Sequence, residues 1–238
     1  MESDALSDLL TLFRVRASVY LHAHFCGDWA VDVADHKKIP FHVVGAGHCW
    51  LHLNGSESPI PLAAGDLVVF PHDMPHSLSE LPERPGPLVP RNQPAGAKPT
   101  STSFTTLVCG DFELERRFWN PLLDALPEVI VIPHDDTRNT ARLRTLLDVI
   151  VFEASVEEPG GKAVIDKLAE AIFIHVIRVH LARDDLKTEG YVAALADRHI
   201  GRALQAIHRN PEFKWSVDRI AQIAGQSRSA FTERFHRT

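Results

Sequence analysis

The feature that most constrains this chain is a change in the period of its hydrophobic pattern near Pro133. Before that point apolar residues alternate with polar ones or gather in short runs. Val19–Phe25 alternates in part. Phe41–Leu53 alternates better, with Cys49, Leu51 and Leu53 on one side and His48, Trp50 and His52 on the other. Asn54-Gly55 and Gly65-Asp66 are turn signals, the second leading into Leu67-Val68-Val69-Phe70, and Thr105–Cys109 reads as a later strand. After Pro133 the spacing turns helical. Leu143, Leu146, Leu147, Ile150 and Ala154 share one helix face, and Leu168, Ala171, Ile172, His175 and Val179 share another. A polar linker over Asp184–Gly190 and a helix over Val192–Ile207 are expected next. Strands followed by helices, rather than interleaved with them, predict an α+β chain whose first part is a sandwich or barrel.

Composition narrows the function classes. The 238 residues are 45% hydrophobic, which supplies a core and excludes a disordered chain. No apolar run nears the ~20 residues of a membrane span. The acidic start, Met1-Glu-Ser-Asp-Ala, has no secretory pattern, and three scattered cysteines make no disulfide framework, so a cytoplasmic protein is expected. The net charge of −6 hides an asymmetry: residues 200–238 hold seven basic and three acidic side chains. Whole-chain acidity argues against nucleic acid as a general partner, but the tail is locally basic, so the two halves are expected to have different jobs. Six prolines between Pro82 and Ser103 mark an exposed loop excursion.

The tail carries the most specific pattern. Ser216 is placed to cap a helix with Val217, Ile220, Ala221 and Ala224 on one face. Gly225 supplies a tight turn, and Ser227 caps a second helix with Phe231 and Phe235 turned inward. That is helix-turn-helix spacing. Inward phenylalanines set Ser229, Thr232, Glu233 and His236 on the outer face, to meet base edges, and place Arg228 and Arg237 to neutralise phosphates. Arg234 fits either a phosphate contact or support of the helix pair. The run Trp215-Ser-Val-x-x-Ile-Ala-x-x-Ala-Gly-x-Ser-x-Ser-x-Phe-x-x-x-Phe resembles the first helix-turn-helix of the AraC-type (AraC/XylS) transcription regulators. Asp197–Pro211 is similar to the helix that opens their DNA-binding region. The resemblance implies a second helix-turn-helix after a long connecting helix. The given sequence stops after the first recognition helix, so a truncated or shortened member is expected.

The N-terminal part holds a second resemblance. Gly65-x5-Pro71-x-Asp73-x2-His76 fits the second signature of the cupin β-barrels, with Asp73 where glycine is usual. Together with Phe41-His42-Val-Val-Gly45, it resembles the cupin-type sensor domain of one AraC-type branch. The usual metal-binding triad of enzyme cupins is absent around His42. His22 and His24 share a strand face, and with His42 and His76 they are candidate ligands for zinc, copper or iron. The bland alternative makes His22 and His24 surface residues and gives His42 and His76 hydrogen bonds inside the barrel. Cys26, beside His24, and Cys109 are candidate redox partners; inert thiols are the alternative.

The expected architecture is therefore a cupin-like sensor barrel over residues 1–135, a helical dimerisation and coupling segment with linker over 136–190, and a partial AraC-type DNA-binding region over 191–238. The expected function is sequence-specific binding of double-stranded DNA by a homodimer, controlled by a small ligand, metal or oxidant sensed in the cupin domain, with no membrane partner and no enzymatic activity. One alternative is a metal-dependent cupin dioxygenase or isomerase with a helical appendage. Another is a ligand-binding module that acts by pairing with a full-length relative.

Overall fold

A computed structural model describes residues 4–27, 29–33, 37–83, 89–90, 104–114, 121–136, 141–156, 158–181 and 190–237. Most of the proline-rich stretch and of the expected linker lies outside the described residues. In chain order the elements are α1 (Ala5–Phe13), β1 (Val15–Phe25), β2 (Ala30–Val33), β3 (Ile39–Ala46), β4 (His48–Leu53), β5 (Ile60–Ala63) and β6 (Leu67–Val69). Then come β7 (His76–Ser79), β8 (Val89–Pro90), β9 (Thr105–Leu114), α2 (Pro121–Asp124) and β10 (Ile130–Ile132). The last six are α3 (Ala141–Ser155), α4 (Gly161–Leu181), α5 (Tyr191–Ala196), α6 (Arg198–Arg209), α7 (Val217–Ile223) and α8 (Arg228–Arg237). They fall into two compact units, one of residues 16–113 and 127–180, the other of residues 1–15, 114–126 and 181–238.

The first unit is the sheet unit. Its strands form two five-stranded sheets, ordered β1-β9-β3-β6-β10 and β5-β4-β7-β2-β8. The expected barrel is thus realised as two sheets, with no ladder among the described residues joining one to the other, in the manner of a jelly roll. Period-two alternation sends Leu21, Ala23 and Phe25 of β1, Val44 of β3, and Cys49 and Leu51 of β4 into one shared core with Val68, Phe70, Leu78 and Leu107. The predicted Phe41–Leu53 run is two strands, because the chain turns at Gly47 (φ 74°). A Cβ there would stand 2.3 Å from the Phe104 carbonyl oxygen, so only glycine fits. Asp73 also explains itself: it lies at φ 58°, a left-handed conformation that glycine takes freely and aspartate tolerates.

The opposite face of the first sheet is covered by helices. Phe41 stacks on Phe112 at 4.4 Å, and Phe112 meets Phe173 of α4 at 4.9 Å. Leu143, Leu147 and Ile150 of α3 are buried, as their spacing predicts. Both α3 and α4 thus lie along this sheet face.

The second unit is helical. The helix expected over Val192–Ile207 is two helices, α5 and α6, broken at Asp197. Asp197 is extended (φ −70°, ψ 125°) and its carboxylate accepts from the His199 and Ile200 amides, so it caps α6 rather than continuing α5. N-terminal α1 packs against α6 through buried Ala5, Leu9 and Leu10, with an Asp8–Arg209 ion pair at the edge. That partnership spans nearly the whole sequence.

Candidate DNA-binding and sensor sites

The helix-turn-helix is built as its residues predict. Ser216 Oγ accepts from the Arg219 amide and Ser227 Oγ from the Ala230 amide, so both expected caps form. Gly225 sits at φ 68°, and the Gln226 amide donates back to the Ala221 carbonyl, closing α7 and aiming the chain into α8. Phe231 is 6% exposed, packed with Ile200, Ala203, Ala221 and Ala224. The small alanines let the three helices approach closely.

Phe235 departs from expectation: it is 52% exposed. It lies one turn beyond the surface offered by α6 and α7 and meets Phe231 ring to ring at 5.9 Å. Val217 is likewise exposed, at 44%, on the side of α7 that α6 does not cover. One inward phenylalanine still orients α8. Ser229, Glu233, His236, Arg228 and Arg237 are exposed, and Thr232 is half-buried with its hydroxyl donating to the Arg228 carbonyl. Arg228 pairs with Asp218 at 3.3 Å and Arg237 with Glu233 at 3.7 Å, all well exposed.

Arg234 supports the helix pair. Its guanidinium donates to Asp197 at 2.6 Å, tying α8 to the cap of α6. His199, two residues on, donates from Nδ1 to the Ala224 carbonyl at 2.6 Å and so ties α6 to the end of α7. Burial pushes the Asp197 carboxyl upward. Hydrogen bonds from the Ile200 amide, Arg234 and the His199 amide outweigh it and hold the group below its ordinary 3.8. The sequence left the supporting role of Arg234 open without naming its partner, and it did not show the His199 clamp. An aspartate opening the amphipathic run of α6 was the available signal for the first.

In the sheet unit the four candidate histidines fall into two separate pairs. His42 on β3 and His76 on β7 are buried between the sheets, their Nε2 atoms 2.7 Å apart. His76 Nδ1 donates to the Met74 carbonyl at 2.7 Å, so neutral His76 accepts at Nε2 and His42 donates. Phe70 stacks on His76 at 3.6 Å. The pair is a bridge from sheet to sheet. Two imidazoles sharing one tetrahedral zinc would hold their nitrogens about 3.3 Å apart, so a metal would have to open this hydrogen bond.

His22 and His24 point the other way from Leu21, Ala23 and Phe25, toward the helix-covered face. His24 Nδ1 lies 2.8 Å from Thr106 Oγ1, and the two rings stand 5.1 Å apart. Burial, with His24 beside it, lowers the His22 pKa. A four-histidine site therefore does not assemble, because strand alternation sets the pairs on opposite faces. Among the described residues no group of three histidine, cysteine or acidic side chains is placed to hold an ion. The redox candidates differ in access: Cys26 is exposed, Cys109 is buried in register with His42, and both are free thiols. Also among the described residues, no helix is long and apolar enough to cross a membrane.

Comparison with known proteins agrees with this geometry. The cupin family profile matches residues 4–182. An AraC-like transcription regulator of Streptomyces lividans is 30% identical over 239 residues, covering 99% of this chain and 78% of the regulator. One from Streptomyces antibioticus is 31% identical with the same coverage. Among solved structures, an apo ToxT variant from Vibrio cholerae aligns over 93% of this chain and 74% of that chain, at 10% identity and a TM-score of 0.41, a similarity too slight to bear on function. A cupin profile over most of the chain, joined to full-length likeness to these regulators, means that the chain belongs to the AraC-like transcription regulators with an N-terminal cupin domain.

Proposed function

We propose that this protein is a cytoplasmic, DNA-binding transcription regulator, not an enzyme, in which α8 enters the major groove and the cupin unit answers to a small ligand. The observation that carries the reading is the fixed orientation of α8: Phe231 is turned in and Arg234 is held by Asp197. That leaves Ser229, Glu233 and His236 outermost, where serine reads either base and glutamate accepts from a cytosine amino group. Arg228 and Arg237 flank them. Their present ion pairs are exposed and weak, so exchange for phosphates costs little. The relatives named as transcription regulators support the same role.

Control works by linkage: a ligand that binds one conformation of the cupin unit more tightly shifts how α8 is presented. The exposed apolar residues Val149 and Phe152 of α3, with Val164 and Ile174 of α4, suit an isologous contact between two copies, which would set the half-site spacing. Fluorescence anisotropy with DNA from upstream of the protein's own gene tests the reading. Binding is expected to weaken steeply with salt, and Arg228→Gln or Arg237→Gln to lower the salt slope by about one each. Binding that ignores salt, or survives Glu233→Ala with unchanged sequence preference, refutes groove reading by α8.

A further inference from the structure

Helix α1 stands at the start of the sequence, ahead of the sheet unit, yet it folds within the helical unit. Asp4 caps it, accepting from the Ser7 amide at 2.9 Å, and the helix then runs for nine residues. A helix that short is not stable by itself in water, so α1 is helical because it is docked. Its seat is α6. Leu9 is 1% exposed, and Ala5 and Leu10 are buried beside it. Ala5 and Gly201 let the two helices come close: a Cβ on Gly201 would stand 3.9 Å from that of Ala5. At the edge Asp8 accepts from Arg209 Nε at 2.9 Å.

The same α6 supports the recognition helix. Its Ile200 and Ala203 pack with Ala221, Ala224 and Phe231, and its Asp197 cap holds Arg234 of α8. One helix thus takes α1 on one side and carries α7 and α8 on another. At its far end α1 stops within a single residue. Arg14 takes a left-handed conformation (φ 44°), its amide donates to the Thr11 carbonyl, and β1 starts at Val15. β1 in turn sends Leu21, Ala23 and Phe25 into the core of the sheet unit. One residue of slack separates a shift of that strand from α1.

We propose that DNA is read only while α1 is docked on α6, and that the sheet unit governs DNA binding by holding or releasing this helix. Docked and undocked α1 are the two states, and the folding of α1 is the transition between them. The helix carries no basic side chain, so it acts through α6 and not by touching phosphate. This role rests on the DNA binding proposed above; the packing of α1 on α6 does not.

The test unlocks and locks α1 in the full chain. Leu9→Ala is expected to weaken binding of the upstream DNA about tenfold, in proportion to the docked fraction, with an unchanged salt slope. Leu9→Met, which keeps the volume, is expected to bind as wild type does. Ala5→Cys with Gly201→Cys sets two Cβ atoms at the 3.9 Å spacing that a disulfide spans. A Cys26→Ser background removes the exposed thiol that would compete, since Cys49 and Cys109 are buried. Oxidation of the new pair is expected to restore tight binding to Leu9→Ala, and reduction to remove it again. Leu9→Ala binding as tightly as wild type, Leu9→Met as weak as Leu9→Ala, or weak binding that persists after oxidation would each overturn the role of α1. The two readings fail differently. A wild type that binds no DNA overturns both, whereas DNA binding indifferent to Leu9→Ala and to oxidation overturns only the control by α1.

Discussion

Asp197 holds the helical unit together in two ways that substitution can separate. Its carboxylate caps α6 through the His199 and Ile200 amides and also anchors Arg234 of α8. Losing the cap costs about 1 kcal/mol. The ion pair is partly exposed, with 37% of the arginine and 21% of the aspartate side chain open to solvent. Solvent screening then leaves it about 0.5 kcal/mol. Asp197→Ala removes both, about 1.5 kcal/mol, which is roughly tenfold faster opening. Asp197→Asn keeps a capping oxygen and loses only the charge, so it costs about 0.5 kcal/mol, a two- to threefold change. Amide hydrogen exchange of α6 and α8 reads both. Arg234→Gln should match Asn, and the Asn–Gln double variant should be no worse than either alone, since both delete one interaction. The pH dependence has a definite sign. The folded carboxyl is held below 3.8, so its contribution is complete above that value and is lost as pH falls through the folded pKa. The gap between wild type and Asp197→Asn should therefore close in acid. If Asn proves as damaging as Ala, or if neither alters α8 protection, the two-part clamp is wrong.

Further outcomes are expected elsewhere. Gly47→Ala meets the Phe104 carbonyl at 2.3 Å and should lower the melting temperature far more than Gly55→Ala, which shares a positive φ but faces open space; equal effects would remove the steric argument. Iodoacetamide should label Cys26 on the folded protein and spare Cys109 and Cys49, the latter buried and with its thiol pushed up to about 12; mass spectrometry finding fast labelling at Cys49 contradicts this. Elemental analysis should find no stoichiometric metal dependent on His42, and a bound metal lost in His42→Ala would replace the sheet-to-sheet hydrogen bond with a metal centre. Burial holds His208 below 6.5, against Asp8 and the Ala5 backbone, which favour its charged form. Its share of stability is therefore complete above 6.5 and lost as pH falls through the folded pKa, so α1 and α6 amides should exchange faster near pH 5. A His208→Gln variant showing the same acid response would assign that response to another group.

Much of this molecule is legible as local chemistry. Ser216, Gly225 and Ser227 fix where α7 begins and ends and where α8 begins, because a cap or a left-handed turn needs only a few adjacent residues. Alternation likewise puts Leu21, Ala23 and Phe25 on one face of β1, and so already sends His22 and His24 to the other. That alternation keeps His22 and His24 on the face opposite the His42–His76 pair.

Other features depend on which distant segments meet. His42 and His76 lie 34 positions apart, and their hydrogen bond exists because β3 and β7 are in facing sheets. Asp8 reaches Arg209 across 201 positions because α1 lies on α6, and Phe235 is exposed because the surface of α6 and α7 ends one turn short of it. The physical reason is one of range. Capping, turn conformation and face alternation are set by covalent spacing over a few residues. Strand order and helix docking are chosen by the collective burial of side chains from the whole chain, which no short stretch of sequence carries.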